Sequence, residues 1–97
     1  MFVVSVHYTS PLERIDALMS AHVEWLDRNY AAGVFLASGR KVPRTGGVVL
    51  AAGVSREELD AIVAEDPFAV EGVATHEITE FLATKTAPAL SAYHQRL

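Results

Sequence analysis

The sequence contains no cysteine among its 97 residues. Disulfide bonds and thiolate chemistry are therefore excluded, and we expect a protein of a reducing compartment, the cytoplasm. No stretch approaches the roughly 18 consecutive apolar residues that a membrane-spanning helix needs. The first residues also lack the basic region and apolar stretch of a signal peptide. We therefore expect no membrane partner.

Basic charge is scarce as well. Eight Lys and Arg residues stand against twelve Asp and Glu, which gives a formal net charge of −4. The only local basic cluster is formed by Arg40, Lys41 and Arg44. A nucleic-acid surface needs a concentrated basic face, so we expect no nucleic-acid partner. The cluster is more typical of a solvated loop.

Apolar residues make up 51% of the chain and charged residues 21%, which is enough apolar material for one packed core. We expect one domain over residues 1–97, with a core over 1–84 and a C-terminal extension over 85–97.

Four strands, two helices and a further short C-terminal helix follow from the apolar periodicity. Phe2, Val4, Val6 and Tyr8 alternate with other residues and predict the first strand. Ser10 as a capping residue, with Pro11 in the first helical position, predicts a helix that buries Leu12 and ends at Gly33. The later elements are strands over 34–39 and 48–52, a helix capped by Ser55 and ended by Pro67, a strand over 73–82, and a short helix after Thr86.

The element order βαββαβ predicts an α+β fold, a ferredoxin-like sandwich with two helices on one face of an antiparallel sheet. On strand one, Val3, Ser5 and His7 point to the other face, which is mixed rather than wholly polar. We expect a partner subunit to cover that face, and hence a homodimer.

His22 is the most informative residue of the first helix. It lies three residues after Met19 and four after Leu18, so its ring shares their buried side. Asp66 stands three residues after Val63 and four after Ile62, in the same relation to the second helix. If both helices pack on one sheet face, the two polar groups can meet.

A carboxylate bonded to an imidazole fixes the ring's tautomer and raises its basicity, which makes a general acid/base dyad. From spacing alone, burial is the more frequent explanation of such a pair, because two buried polar groups must satisfy each other whether or not a substrate arrives.

The second strand offers three further site candidates. Ser38 supplies a hydroxyl, Gly39 allows close backbone approach, and Arg40 can bind an anionic substrate. Ser38 and Gly39 are equally consistent with an ordinary strand end, and Arg40 with a surface charge. His7, His76 and His94 show no metal-ligand spacing, so we expect no metal and no cofactor. His7 and His76 are typical of interface or core-edge positions.

Taken in order, these residues resemble the YciI-like (YCII-related) family. The resemblance rests on Ala21-His22, Gly33, Ser38-Gly39, Gly47, Asp66-Pro67-Phe68, and Gly72-Val73 leading to Glu77-Ile78 and Phe81. It implies a dimeric α/β barrel of ferredoxin-like subunits, related to muconolactone isomerase-like proteins. It also implies a His-Asp active site, which carries over to His22 and Asp66. Many members have proline after the serine-glycine pair, where this chain has Arg40.

Two functions follow as hypotheses. The first is a cofactor-independent lyase or isomerase, comparable to a dehydrochlorinase or a muconolactone isomerase, in which His22 moves a proton on a small organic molecule, Asp66 orients it and Ser38 positions the substrate. The second is a dimeric protein that binds or senses a small molecule without catalysis.

Overall fold

The structure, a computed structural model, describes residues 1–97 and has an α+β architecture. None of its helices is both long and apolar enough to cross a lipid bilayer. In chain order the elements are β1 (Phe2–Tyr8), α1 (Leu12–Ala31), β2 (Phe35–Arg40), β3 (Gly46–Ala51), α2 (Arg56–Ala64), α3 (Pro67–Val70), β4 (Ala74–Glu80) and a C-terminal 3₁₀ helix (Pro88–Tyr93).

The four strands form one sheet in the order β2-β3-β1-β4, and every neighbouring pair is antiparallel. This is the ferredoxin-like arrangement, and the predicted fold class is confirmed. The buried side of β1, which includes Val4, packs with Ile15 and Trp25 of α1 and Leu59 of α2. The Trp25 indole donates a hydrogen bond of 3.0 Å to the Ile62 carbonyl, which ties α1 to α2.

The register of β2 against β3 contains one irregularity. Phe35 pairs with Ala51 and Ser38 pairs with Val49, so β2 has one more residue than β3 over this span. The shift falls between Phe35 and Ala37 and has the character of a β-bulge.

The start of α1 differs from the prediction. Pro11, with ψ of 150°, is the N-cap residue, and no side chain caps this helix end. Because that ψ is extended rather than helical, the first helical residue is Leu12, one position later than expected. Ser10 instead accepts a long 3.4 Å hydrogen bond from Arg14. Leu12, predicted to be buried, is 43% exposed at the open helix end.

The second helical region divides into two helices where one was predicted. Ser55 and Glu58 form the expected capping box, with both hydrogen bonds at 3.0 Å. However, α2 ends at Ala64, and Asp66 lies beyond it as the N-cap of the short helix α3. Pro67 accounts for this, because proline disfavours helical angles in the residue before it and suits the first position of a new helix.

The chain after β4 packs back on the start of the sheet. β4 ends at Glu80, two residues before the predicted end, and Leu82 is 47% exposed. The predicted short helix is the 3₁₀ helix, whose Tyr93 packs against the small cluster of Met1, Ala52 and Ala83. The Gln95 side-chain oxygen accepts a 2.9 Å hydrogen bond from the Ala83 N–H.

Gly46 should be the least replaceable glycine of the sheet. A Cβ at this position would lie 1.8 Å from the Val6 carbonyl oxygen, which belongs to the central strand and cannot move aside. We expect Gly46→Ala to lower the free energy of unfolding by about 1–3 kcal/mol, measured by urea denaturation. Gly39→Ala is the matched control, because a Cβ there meets nothing within 4 Å. Equal stability of the two variants would contradict this packing.

Candidate active site

His22 and Asp66 meet where α1 packs against α3. His22 Nδ1 lies 2.8 Å from Asp66 Oδ1, in hydrogen-bonding distance. The two side chains therefore converge as the sequence predicted. The route differs for Asp66, whose position comes from the turn before Pro67 rather than from the buried side of α2.

The Asp66 carboxylate is completely buried and has three hydrogen-bond donors. Besides His22 it accepts the Phe68 N–H at 3.0 Å and His76 Nε2 at 2.8 Å. Burial by itself raises the pKa of Asp66, but the hydrogen bonds from His22 and His76, the charge of His22 and the Phe68 N–H outweigh it and hold the pKa below 3.8. Asp66 is thus an anion at neutral pH.

The orientation of the His22 ring is fixed by two aromatic neighbours and by a hydrogen bond at one nitrogen. The ring stacks on Phe68 with centroids 4.1 Å apart and an interplanar angle of 9°, and Trp25 lies 5.5 Å away. Because an ionised carboxylate only accepts hydrogen bonds, Nδ1 carries the hydrogen that faces Asp66. Nε2 makes no hydrogen bond within the chain. Nε2 is therefore the ring nitrogen of His22 that has no partner within the chain.

A cavity of about 190 Å³ opens beside His22. This volume corresponds to about six water molecules, the size of a single small ring. Asp66 and His76 lie behind His22 and do not line it. The lining comprises Val6, Tyr8, Met19, His22, Leu26, Ser38, Gly39, Arg40, Gly47, Val48, Val49 and Phe68.

The three substrate-binding candidates of β2, Ser38, Gly39 and Arg40, all line this cavity together with His22. Ser38 is not a free hydroxyl, because its Oγ lies 2.6 Å from the Tyr30 hydroxyl. Arg40 is exposed and has no ion-pair partner.

The neighbouring Arg44 is engaged elsewhere in the fold. Its guanidinium donates to Asp16 on α1, and this hydrogen bond lowers the pKa of Asp16. The ion pair ties the β2–β3 loop to α1. Arg44 is therefore part of a tertiary contact, whereas a solvated loop was predicted.

Two polar residues of the site were missed at the sequence level. His76 was predicted to lie at a core edge or an interface, yet it forms a hydrogen bond with Asp66. The sequence did indicate its burial, because His76 lies on the same side of β4 as Ala74 and Ile78. Tyr30 lies eight residues after His22, a spacing that returns to the same face of a helix.

No group of three or more His, Asp or Glu side chains is arranged to hold a metal ion.

Comparison with known proteins gives the family of the chain. The family model of the YCII-related domain matches residues 1–82. The chain belongs to the YCII-related family. No curated protein shows significant similarity to this family member.

Among solved structures, this YCII-related chain is similar to 5-chloro-2-hydroxyhydroquinone dehydrochlorinase from Burkholderia phenoliruptrix AC1100, solved in complex with 2,5-dihydroxybenzoquinone. The sequences are 20% identical, the TM-score is 0.66, and the match covers 84% of this chain and 93% of the dehydrochlorinase. At this identity, the similarity establishes a common fold.

The lowered pKa of Asp66 gives a prediction for stability in acid. Because the pKa lies lower in the folded than in the unfolded chain, ionised Asp66 stabilises the fold above about pH 4, and this contribution is lost as the pH falls through the folded-state value. We expect Asp66→Asn to cost about 1–3 kcal/mol at pH 7. The cost should shrink as the pH falls below about 4, measured by urea unfolding at each pH.

Asp60→Asn is the matched control for that series. Asp60 is exposed and pairs with Arg56 at 3.1 Å on the surface of α2, so its replacement should leave the pH profile unchanged. A constant stability difference between wild type and Asp66→Asn over the whole pH range would contradict the assignment.

Proposed function

We propose that this YCII-related protein is a cofactor-independent lyase or isomerase for a small organic molecule, with His22 as general acid and base. The observation that carries the proposal is that His22 lines a ring-sized cavity while its Nδ1 is bonded to a buried, ionised carboxylate. Such a carboxylate orients the imidazole and stabilises the imidazolium that forms when Nε2 takes a proton.

The reaction begins with removal of a proton from a carbon next to a carbonyl. The C–H electron pair becomes the double bond of an enolate, and the proton resides on His22 Nε2. In a lyase the electron pair then expels a leaving group from the adjacent carbon. In an isomerase His22 returns the proton to a different carbon, so that atoms balance without a redox partner.

The β2 residues bind the substrate in this proposal. The Ser38 hydroxyl, in contact with Tyr30, hydrogen bonds to the substrate oxygen, and the Gly39 backbone permits its close approach. Arg40 supplies the unpaired cation for an anionic substrate or a developing enolate. The dehydrochlorinase of similar fold was solved with 2,5-dihydroxybenzoquinone, which makes hydroxyquinones sensible first compounds.

We further propose a homodimer, with the two sheets facing each other in a dimeric α/β barrel. The sheet face opposite the helices carries Val48, which is 39% exposed, and the partly exposed Val3 and Leu50. The C-terminal 3₁₀ helix reaches one end of the sheet and packs Tyr93 near Leu50. The remaining apolar surface supports a second copy as its cover.

The catalytic proposal predicts loss of turnover in His22→Gln. The glutamine amide can still donate to Asp66, but it has no basic nitrogen. We expect kcat to fall by about 10²- to 10⁴-fold on any hydroxyquinone or lactone that the wild type converts, measured by absorbance. His94→Gln is the control, because His94 is an exposed residue near the C-terminus that does not line the cavity. It should keep full activity.

Two results would overturn the catalytic proposal. One is a detected activity that survives in His22→Gln. The other is a set of compounds that bind the cavity, measured by calorimetry, while none is converted. The second result would assign the protein to the small-molecule binding or sensing class.

The dimer predicts a mass of twice 10.5 kDa by light scattering at micromolar concentration. Val48→Lys places a charge on the apolar sheet face at an already exposed position, so the monomer should stay folded by circular dichroism while the dimer dissociates. A wild-type mass of 10.5 kDa would contradict the dimer.

A further inference from the structure

Asp66 accepts hydrogen bonds from two imidazoles, those of His22 and His76, and the proposed reaction uses only His22. His76 Nε2 lies 2.8 Å from Asp66 Oδ2, and the His76 side chain is only 7% exposed. His76 lies on β4 and does not line the cavity, whereas His22 does. A molecule in the cavity therefore meets His22 directly and is influenced by His76 only through Asp66.

The hydrogen-bond pattern fixes the tautomer of both rings. The ionised carboxylate has no hydrogen to donate, so His22 Nδ1 and His76 Nε2 each carry the hydrogen that faces it. The other nitrogen of each ring is left as a base. Each neutral imidazole can therefore take one proton, and each resulting cation is stabilised by the same negative charge.

Few other titratable groups face this cluster. α1 contributes His22 itself, and the turn before α3 contributes Asp66. β1 places the apolar Val6 directly opposite His76 and Tyr8 one pair further along the same face. β4 carries Glu80 four residues after His76. Neither Tyr8 nor Glu80 hydrogen bonds to the three residues, so one carboxylate charge is shared by two bases.

We propose that His76 is a positioning residue that competes with His22 for one proton through the shared charge of Asp66. When His76 is protonated, the negative charge of Asp66 is compensated, and a proton on His22 gains less. When His76 is neutral, the full negative charge of Asp66 is available to stabilise a proton on His22. The catalytic consequence, that His76 sets the pH range in which His22 is a free base, rests on the proposed function.

The test is an NMR titration of the imidazole nitrogens in the full chain. His76→Gln keeps an N–H donor toward Asp66 but cannot take a proton. We expect the midpoint of the His22 titration to move to higher pH by roughly half to one unit. His94→Gln is the matched control, because exposed His94 contacts only the Thr84 carbonyl, and it should leave the His22 curve in place.

A second variant checks the same coupling from the other side. Coupling between two binding sites for protons is reciprocal, so His22→Gln should raise the midpoint of His76, and the ring that protonates second in the wild type should show the larger shift. An upward shift in either variant supports the shared charge, even if that variant is less stable by thermal unfolding. Wild-type midpoints in both variants overturn it and leave His76 a structural residue only.

These outcomes are separable from the proposed reaction, because the titration needs no substrate. If the midpoints shift but the protein converts no compound, the competition between His22 and His76 is supported and the proposed reaction is rejected. If activity needs His22 but neither variant moves a midpoint, the proposed reaction is supported and the competition is rejected.

Discussion

The buried negative charge of Asp66 is the constraint on which the rest of the site depends. An ionised carboxylate without partners in an apolar interior costs several kcal/mol, so its donors must be in place whenever the chain is folded. Here those donors come from α1, from the first turn of α3 and from β4. Satisfying one charge therefore fixes three elements against one another, and the orientation of His22 follows.

A structural role for this pair and a chemical one do not compete with each other. The hydrogen bonds that offset the cost of burying the Asp66 charge also hold His22 in one tautomer, with its ring stacked on Phe68. Exposure gives the cluster a direction, since it rises from none at Asp66 to 7% at His76 and 13% at His22. Only the most exposed of the three lines the cavity, so His22 is the member of the cluster that a molecule in the cavity could contact.

The sequence was sufficient for features that depend on local periodicity. The alternation of β1, the Ser55 capping box and the position of His22 on the buried side of α1 were all predictable, and together they implied the ferredoxin-like order. Features that depend on distant partners were not. The residues around His76 do not distinguish a histidine at the edge of the core from one that hydrogen bonds to a carboxylate ten residues earlier. The role of His76 was therefore missed. Pro67 was interpreted as a stop signal, although it also starts α3 and turns Asp66 inward.

The bulge in β2 has a consequence for how this site can be gained or lost. In an unbroken strand that begins with Phe35 facing the helices, Ala37 and Gly39 would face them too, because strand side chains alternate. The one extra residue reverses the alternation, so that Ser38 and Arg40 come to lie on the same face as Val49. A regular strand of the same length, with Phe35 kept in place, would instead present the methyl group of Ala37 and the hydrogen of Gly39 to the cavity. The polarity of this wall thus depends on the bulge in the strand as much as on the identity of its side chains.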